Sequence, residues 1–587
     1  MKVIHIRFSE LWDLFDLDEK KKLLELLFYQ LILNFLDLFG LACLWIIGLL
    51  SVKGVASLPP EGIASNVLRL LHLDQVTFQG QVAILATVGG TLLTLKTLLS
   101  MNLNTTLLRL LAKKTHLANQ KMLNYYFTSP VQSLYKNSIE KIIKNLTQDL
   151  PILYLFGIGG LFSAAADISL LILLVFSLVI LNPFVTLFSS VFFLILGFAL
   201  YRYMSVRSAE IGAKSSLLTL TLSKSMTSIY EAYRELVVRN EREIYLQKLD
   251  DEYLAFDTNN LERAVLPSVS KYVYEMALVL GVLMMAAIEF LLLDASNAVG
   301  ELAFFLAASA RIAPAGLRIQ QYVIQARDIL GRSSDLVAIL LQLKDTPQAL
   351  KVIEPQHEHD GVFELCLEDL SYMYQDSKVH VFENINFQSN NSTTIGILGP
   401  SGVGKSTLVD LICGVTEPTS GSVRINGVNP VKLILTNPGV INYVPQKPLI
   451  VNSTLRENIL LGSNLKTDIE ILALAYATGL DSILEKLPNG LDTMIGSEDF
   501  NLSGGQKQCI GLVRALITRP GVLILDESTN AMDPTLEQRV LSEVKKIMSS
   551  NLLILVSHSK NVMYGLDIVL NMTENGLLNL NDDSNPA

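Results

Sequence analysis

Residues 399–407 read Gly-Pro-Ser-Gly-Val-Gly-Lys-Ser-Thr, a spacing suited to gripping phosphates. Gly399, Gly402 and Gly404, with Pro400, Ser401 and Val403 between them, let backbone N–H groups approach an anion. Lys405 is placed to reach β- and γ-phosphates, the Ser406 hydroxyl to bind Mg²⁺, and Thr407 opens a helix. The apolar run Thr394 to Leu398 reads as a strand leading into the loop, which is the context this motif requires. Further on, Val522 to Leu525 is an apolar strand that ends in Asp526-Glu527. Asp526 is suited to holding Mg²⁺, and Glu527 to polarising an attacking water as general base. The bland alternative, an acidic strand end facing solvent, is weak beside a phosphate loop. The chemistry these residues point to is hydrolysis of ATP with Mg²⁺.

Between the two lies Leu502-Ser503-Gly504-Gly505-Gln506, which resembles the signature of the ATP-binding cassette (ABC) family. The resemblance extends in order along the chain. Tyr374 looks like the aromatic that stacks on adenine. Gln446, in Tyr443-Val-Pro-Gln446, looks like the glutamine that touches Mg²⁺ and communicates with the membrane domain. Asp533 looks like the aspartate of the D-loop, and His558, after the strand Leu552 to Val556, like the switch histidine on the γ-phosphate. The resemblance implies that Ser503, Gly504, Gly505 and Gln506 complete the ATP site of a second cassette, with Ser503 and Gly505 on its γ-phosphate. One chain supplies one cassette, so it implies a dimer, most simply of two identical copies. The chain departs from the family pattern at Cys509, where Arg is usual, at Gly496 to Asn501, which lacks a second glycine, and in Asn530-Ala-Met-Asp533.

The elements that must carry this site make up only part of the molecule. Of 587 residues, half are hydrophobic and only 17% are charged, with a mean hydropathy of +0.40. Soluble proteins carry about 25% charged residues, so a disordered, collagen-like or purely soluble chain is excluded. The formal net charge of −10 gives no basic footprint for nucleic acid. Cys43, Cys366, Cys413 and Cys509 are far apart and lack metal-ligand spacing, which reads as free thiols in a reducing compartment. Met1 to Glu19 is polar and mixed, with no cleavable leader expected.

Crossing a bilayer takes about 20 apolar residues. Candidate spans lie at about 29–51, 81–103, 158–181, 184–204, 272–293 and 298–321, the third and fourth parted by Asn182-Pro183. The loops 104–150 and 205–270 are rich in Lys and Arg, whereas 52–80 has only Lys53 and Arg69. By the positive-inside rule the two basic loops and both termini are cytoplasmic. Both loops are helical in pattern and extend the spans into the cytoplasm. Ile63, Val67, Leu70 and Leu71 form a short amphipathic outer helix or simply pack against span ends. The expected fold is an α-helical six-span domain, residues 1–343, a polar linker, 344–361, and an α/β P-loop nucleotide-binding domain, 362–587. Multi-pass placement in the cell (inner) membrane is the corresponding expectation.

Ionisable residues inside a membrane are costly and so informative. Lys96, Lys271, Arg311 and Arg318 lie on or near three spans, and Arg311 and Arg318 are two helical turns apart. They suggest a cavity for an anionic group. Alternatively, Lys96 pairs with Asp37, Asp167 and Glu289 neutralise others, and Lys271 and Arg318 snorkel to the interface. Six spans before one cassette resemble an ABC exporter half-transporter. The segment Arg311 to Arg318 with Lys96 and Lys271 resembles the lipid-linked oligosaccharide flippases of the PglK type. That likeness implies export of an amphiphile with an anionic head group. Other cargoes, peptide or hydrophobic drug, and a non-transporting role as an ATP-gated channel or regulator, stay open.

Overall fold

The computed structural model describes residues 8–55, 69, 76–128, 137–181, 183–292, 295–343, 363–374, 377, 379–389, 394–462, 467–496, 502–573 and 576–579. Within the helices some side chains, Glu289 and Arg311 among them, lie outside the description. So do the expected linker and the outer amphipathic segment. The chain divides into two compact units, Met1–Ser129 with Leu134–Ala349, and Pro130–Ser133 with Leu350–Ala587.

The first unit is helical. A short α1 (Phe8–Trp12) precedes α2 (Leu17–Val55), α3 (Phe78–Thr128) and α4 (Ile139–Lys144), which runs through two π-helical segments, Asn145–Asp149 and Ile152–Ile158, into α5 (Gly159–Leu181). Then come α6 (Pro183–Glu231), α7 (Tyr233–Arg239), α8 (Arg242–Leu292), α9 (Ala295–Arg332) and α10 (Ser334–Gln342). The described parts of the six expected runs are helical, but the fifth and sixth, 272–293 and 298–321, are not among the described stretches of membrane-crossing length and apolarity, so six spans are not all supported. Four stretches among the described residues, Leu17–Gly40, Phe78–Thr128, Ile139–Ser177 and Ser190–Glu231, are long and apolar enough to cross a bilayer. α5 ends at Leu181 and α6 opens on Pro183, because proline lacks the N–H that continues a helix and fits its first turn. The helices of the basic loops continue far past the apolar runs, as their charged faces predict.

Two contacts fix this unit. α6 and α9 cross backbone to backbone. A Cβ on Gly212 would lie 2.0 Å from the Asp328 carbonyl oxygen, and one on Gly331 2.1 Å from that of Ala209. Small residues at such a crossing let helices approach more closely than side chains allow. At the π segments, buried Asp149 accepts from Lys144 Nζ at 2.5 Å and from Arg332 Nε at 2.9 Å. A buried carboxylate is tolerable only when paired in this way.

The second unit holds a six-stranded sheet in the order β11-β10-β3-β9-β8-β5 and a three-stranded antiparallel sheet β2-β1-β4. The strands are β1 (Leu365–Tyr372), β2 (Phe382–Gln388), β3 (Thr394–Leu398), β4 (Ser420–Ile425), β5 (Ile441–Val444), the short pair β6 (Ser453–Thr454) and β7 (Met494–Ile495), β8 (Val522–Asp526), β9 (Leu552–Val556), β10 (Ile568–Thr573) and β11 (Gly576–Asn579). β5, β8, β9, β3 and β10 run parallel, with β11 antiparallel at the edge. Val522 to Leu525 and Leu552 to Val556 are wholly buried, as expected of parallel strands covered on both faces. Loops leaving the carboxyl ends of such strands open on one edge, where ligands of α/β sheets bind.

Candidate nucleotide site

That edge gathers residues far apart in the chain. β3 leads into the phosphate loop, β8 into Asp526-Glu527, β9 into His558 and β5 into Gln446. The loop glycines have φ of 155° at Gly399, 86° at Gly402 and 107° at Gly404, values that favour glycine. A Cβ on Gly399 would lie 2.6 Å from the Met572 carbonyl oxygen, so the loop also needs glycine for space. Lys405 opens the helix Lys405–Ile412. Its buried ammonium donates to the Gly399 and Pro400 carbonyls at 2.8 and 3.0 Å, spanning the loop it belongs to. Half-exposed Tyr374 has its hydroxyl 3.0 Å from Thr407 Oγ1, which sets its ring beside the first turn of that helix.

Glu527 is the hub. Its Oε2 accepts from Gln446 Nε2 at 2.9 Å and from Asn530 Nδ2 at 3.4 Å, and its Oε1 lies 3.3 Å from His558 Nδ1. Its φ of 48° is left-handed, a conformation that costs a non-glycine residue about 1–3 kcal/mol and clusters at functional sites. Asp526 Oδ2 accepts from the Tyr443 hydroxyl at 3.1 Å. Burial raises the Asp526 carboxyl above its ordinary value, and the charge of Glu527 adds to this, against the opposing pull of Tyr443 and Lys405. Burial also pushes the Tyr443 hydroxyl up, with Asp526 reinforcing it, so it stays a donor at neutral pH.

The Ser406 hydroxyl, the Asp526 carboxylate and the Gln446 amide oxygen form an all-oxygen donor set. Mg²⁺ prefers such donors and is commonly held by one or two carboxylates plus substrate phosphates. These residues therefore fit Mg²⁺ arriving with ATP, where it would neutralise phosphate charge.

The signature residues start the helix Gly504–Leu516. Ser503 and Gln506 cap it reciprocally, Ser503 N donating to Gln506 Oε1 at 2.8 Å and Gln506 N to Ser503 Oγ at 3.3 Å. A Cβ on Gly505 would meet the Ala531 carbonyl oxygen at 2.8 Å, so the signature lies against the D-loop. Asp533 caps the helix Pro534–Ile547 through Leu536 N at 3.0 Å. Sequence reasoning passed over Gln508. Buried, it donates to the Gln446 carbonyl at 3.1 Å and accepts from Ala531 N at 3.0 Å, tying the segment after β5 to the D-loop. A polar residue amid the apolar positions of Gly504–Leu516 was the only signal of it.

Cys509 faces the hydrophobic core beside Ile510 and Val513, and burial pushes its thiol up to about 11. A buried cysteine is inert because the thiolate is the nucleophile, so neutral-pH alkylation should slow on the order of 10²-fold against an ordinary thiol. Iodoacetamide labelling of native and urea-unfolded protein, read at Cys509 by mass spectrometry, checks this. Cys509→Ser should keep ATPase activity within a few-fold.

In the helical unit three of the four sequence-selected cations, Lys96, Lys271 and Arg318, are described, and each lies beside a carboxylate. Lys96 Nζ lies 3.1 Å from Asp37 Oδ2, tying α3 to α2. Arg318 binds Asp167 with two parallel bonds, Nε at 2.8 Å and Nη2 at 2.9 Å, tying α9 to α5. Asn34, one turn before Asp37, donates to Ser169 Oγ at 2.8 Å, so the two pairs sit on helices that are themselves joined. Lys271 is exposed on α8, 3.8 Å from Glu275. Of the two readings of these cations, pairing describes Lys96 and Arg318.

Residues 382–530 match the ABC transporter family. A Rickettsia prowazekii protein named as an export ATP-binding/permease protein is 36% identical over 203 residues, 34% of each chain. ABC transporter B family member 1 of Dictyostelium discoideum is 27% identical over 330 residues, 56% of this chain and 36% of that one. The matched segments thus span about a third of the length of these relatives. A solved structure of a bacterial Atm1-family ABC exporter with ATP bound superposes with a TM-score of 0.70 at 19% identity, covering 96% of this chain and 95% of that one. The chain therefore has the fold of an ABC exporter and carries an ABC transporter ATP-binding domain, the module that binds and hydrolyses ATP.

Proposed function

We propose that this chain is one half of a homodimeric exporter that hydrolyses ATP to move an amphiphile across the cell (inner) membrane. Six spans, residues within 1–343, carry the cargo, and the ATP-binding domain, 362–587, lies with both termini in the cytoplasm. The observation that supports this best is the convergence of Gln446 and His558 on Glu527, at the sheet edge that also carries the phosphate loop, in a chain whose described residues include four helices of membrane-crossing length. ATP binding closes two cassettes, each signature completing the partner's site. Hydrolysis reopens them, and the long helical extensions carry the motion.

The cargo is an amphiphile with an anionic head group, such as a lipid-linked oligosaccharide. A charge near the bilayer centre costs about 2.5–3.5 kcal/mol on insertion scales, so Arg311 needs a hydrated cavity or a partner. Lys96 and Arg318 already hold carboxylates, so a head group reaches them only by displacing Asp37 or Asp167. A phosphate can compete, because it accepts the same paired N–H donors. That same pairing favours a second reading, a peptide or hydrophobic cargo that needs no free cation.

Purified protein in lipid vesicles separates these. Under the first reading, lipid-linked sugars raise ATPase activity, and Arg311→Ala forms the dimer yet loses that stimulation and the associated transport. Arg311→Lys keeps part of both, since charge survives without the planar fork. Normal transport by Arg311→Ala, or stimulation by peptides alone, rejects the anionic cargo. Ion conductance without transport would mark a channel.

A further inference from the structure

The segment leaving β5 touches both acids at the end of β8. Tyr443 donates to Asp526 Oδ2 at 3.1 Å, and three residues later Gln446 donates to Glu527 Oε2 at 2.9 Å. β5 and β8 are parallel neighbours, with Tyr443 opposite Ile524 and Val444 opposite Leu525, so the register of the sheet sets both contacts. Gln508 anchors the far end of the segment through the Gln446 carbonyl. The glutamine has an expected role. The tyrosine has none, and its partly exposed ring is not a core anchor.

We propose that Tyr443 is a positioning residue for Mg²⁺, holding the Asp526 carboxylate in the one orientation that the metal of Mg·ATP requires. This rests on the nucleotide-site reading above. A carboxylate at a strand end can rotate about its last bond. Mg²⁺ tolerates little deviation from octahedral geometry and takes few carboxylates. A hydroxyl on Oδ2 removes that freedom and leaves Oδ1 outside the bond. Groups that hold a metal ligand in place this way typically change metal affinity by about 10–100-fold when removed.

Tyr443→Phe deletes the hydroxyl and keeps the ring. Mn²⁺ serves as the metal probe, read by electron paramagnetic resonance on the full-length protein with ATP present. Trinitrophenyl-ATP fluorescence in EDTA reads nucleotide binding without metal. The expected result is a rise of about 10-fold in the Mn²⁺ concentration at half-saturation, with EDTA binding within twofold of wild type. Superimposable Mn²⁺ curves overturn the proposal. An equal loss in EDTA overturns it too, because the hydroxyl would then serve the loop and not the metal. A wild-type chain that binds no nucleotide overturns the nucleotide-site reading together with this one.

Discussion

Glu527→Gln should cut ATP turnover by about 10²–10⁴-fold, the typical contribution of a positioned general base, while ATP binding persists. The amide cannot take a proton from water. Glutamine has nearly the shape of glutamate and can occupy the same left-handed backbone at similar cost, so the variant should fold. The contacts differ in a useful way. Gln446 and Asn530 both donate to Oε2, and an amide nitrogen there would face two donors, so the side chain must turn its oxygen toward them. Phosphate release against equilibrium ATP binding measures the split, and size-exclusion chromatography with ATP should show an accumulating closed dimer. Turnover like that of wild type would remove Glu527 from the role.

A comparably large effect is expected far from the nucleotide. Gly212→Ala or Gly331→Ala adds one methyl group where α6 and α9 meet, 2.0 and 2.1 Å from backbone oxygens. A side chain in the way could change rotamer; a carbonyl fixed in a helix cannot. The helices must separate, with a typical overpacking cost of about 1–3 kcal/mol and more where nothing yields. Separation also disturbs Asp328, whose Oδ2 pairs with Arg263 at 2.6 Å. Both variants should lose several degrees of thermal stability in detergent or fail to accumulate. Gly90→Ala is the control, because nothing lies within 4 Å of its added methyl and alanine favours a helix over glycine. Equal stability of all three would mean the crossing is looser than its geometry states.

These two results draw on information of different legibility. The phosphate loop and Asp526-Glu527 could be read directly, because each concentrates its chemistry in a few consecutive residues. The long helices could be read as well, since an apolar run followed by an amphipathic one has little choice of structure. Tyr443 and Gln508 could not. Each acts on a residue distant in sequence, Tyr443 through the β5–β8 register and Gln508 through the packing of its helix against the Gln446 and Ala531 segments. Gly212 and Gly331 are likewise unremarkable singly; their meaning is that each lies against the backbone of the other's helix, Gly212 on Asp328 and Gly331 on Ala209. The cations lay between these cases. Charge inside an apolar run is visible, and the Lys96–Asp37 pair was readable as one of two alternatives, but that Asp167 meets Arg318 depends on helix rotation.

The π segments bear on that rotation. A π turn takes in one residue more than an α turn, so it accommodates an insertion without rotating the helix beyond it. Asp167 lies downstream of both segments, Asn145–Asp149 and Ile152–Ile158, and still meets Arg318. The region is thus a register buffer. Relatives one or two residues shorter there can keep the Asp167 face unchanged by winding as plain α-helix, whereas a one-residue gap between Gly159 and Asp167 would swing that carboxylate by about 100°. An alignment that scatters its gaps through this helix would misplace the pair; one that confines them to residues 145–158 respects the way the chain is wound.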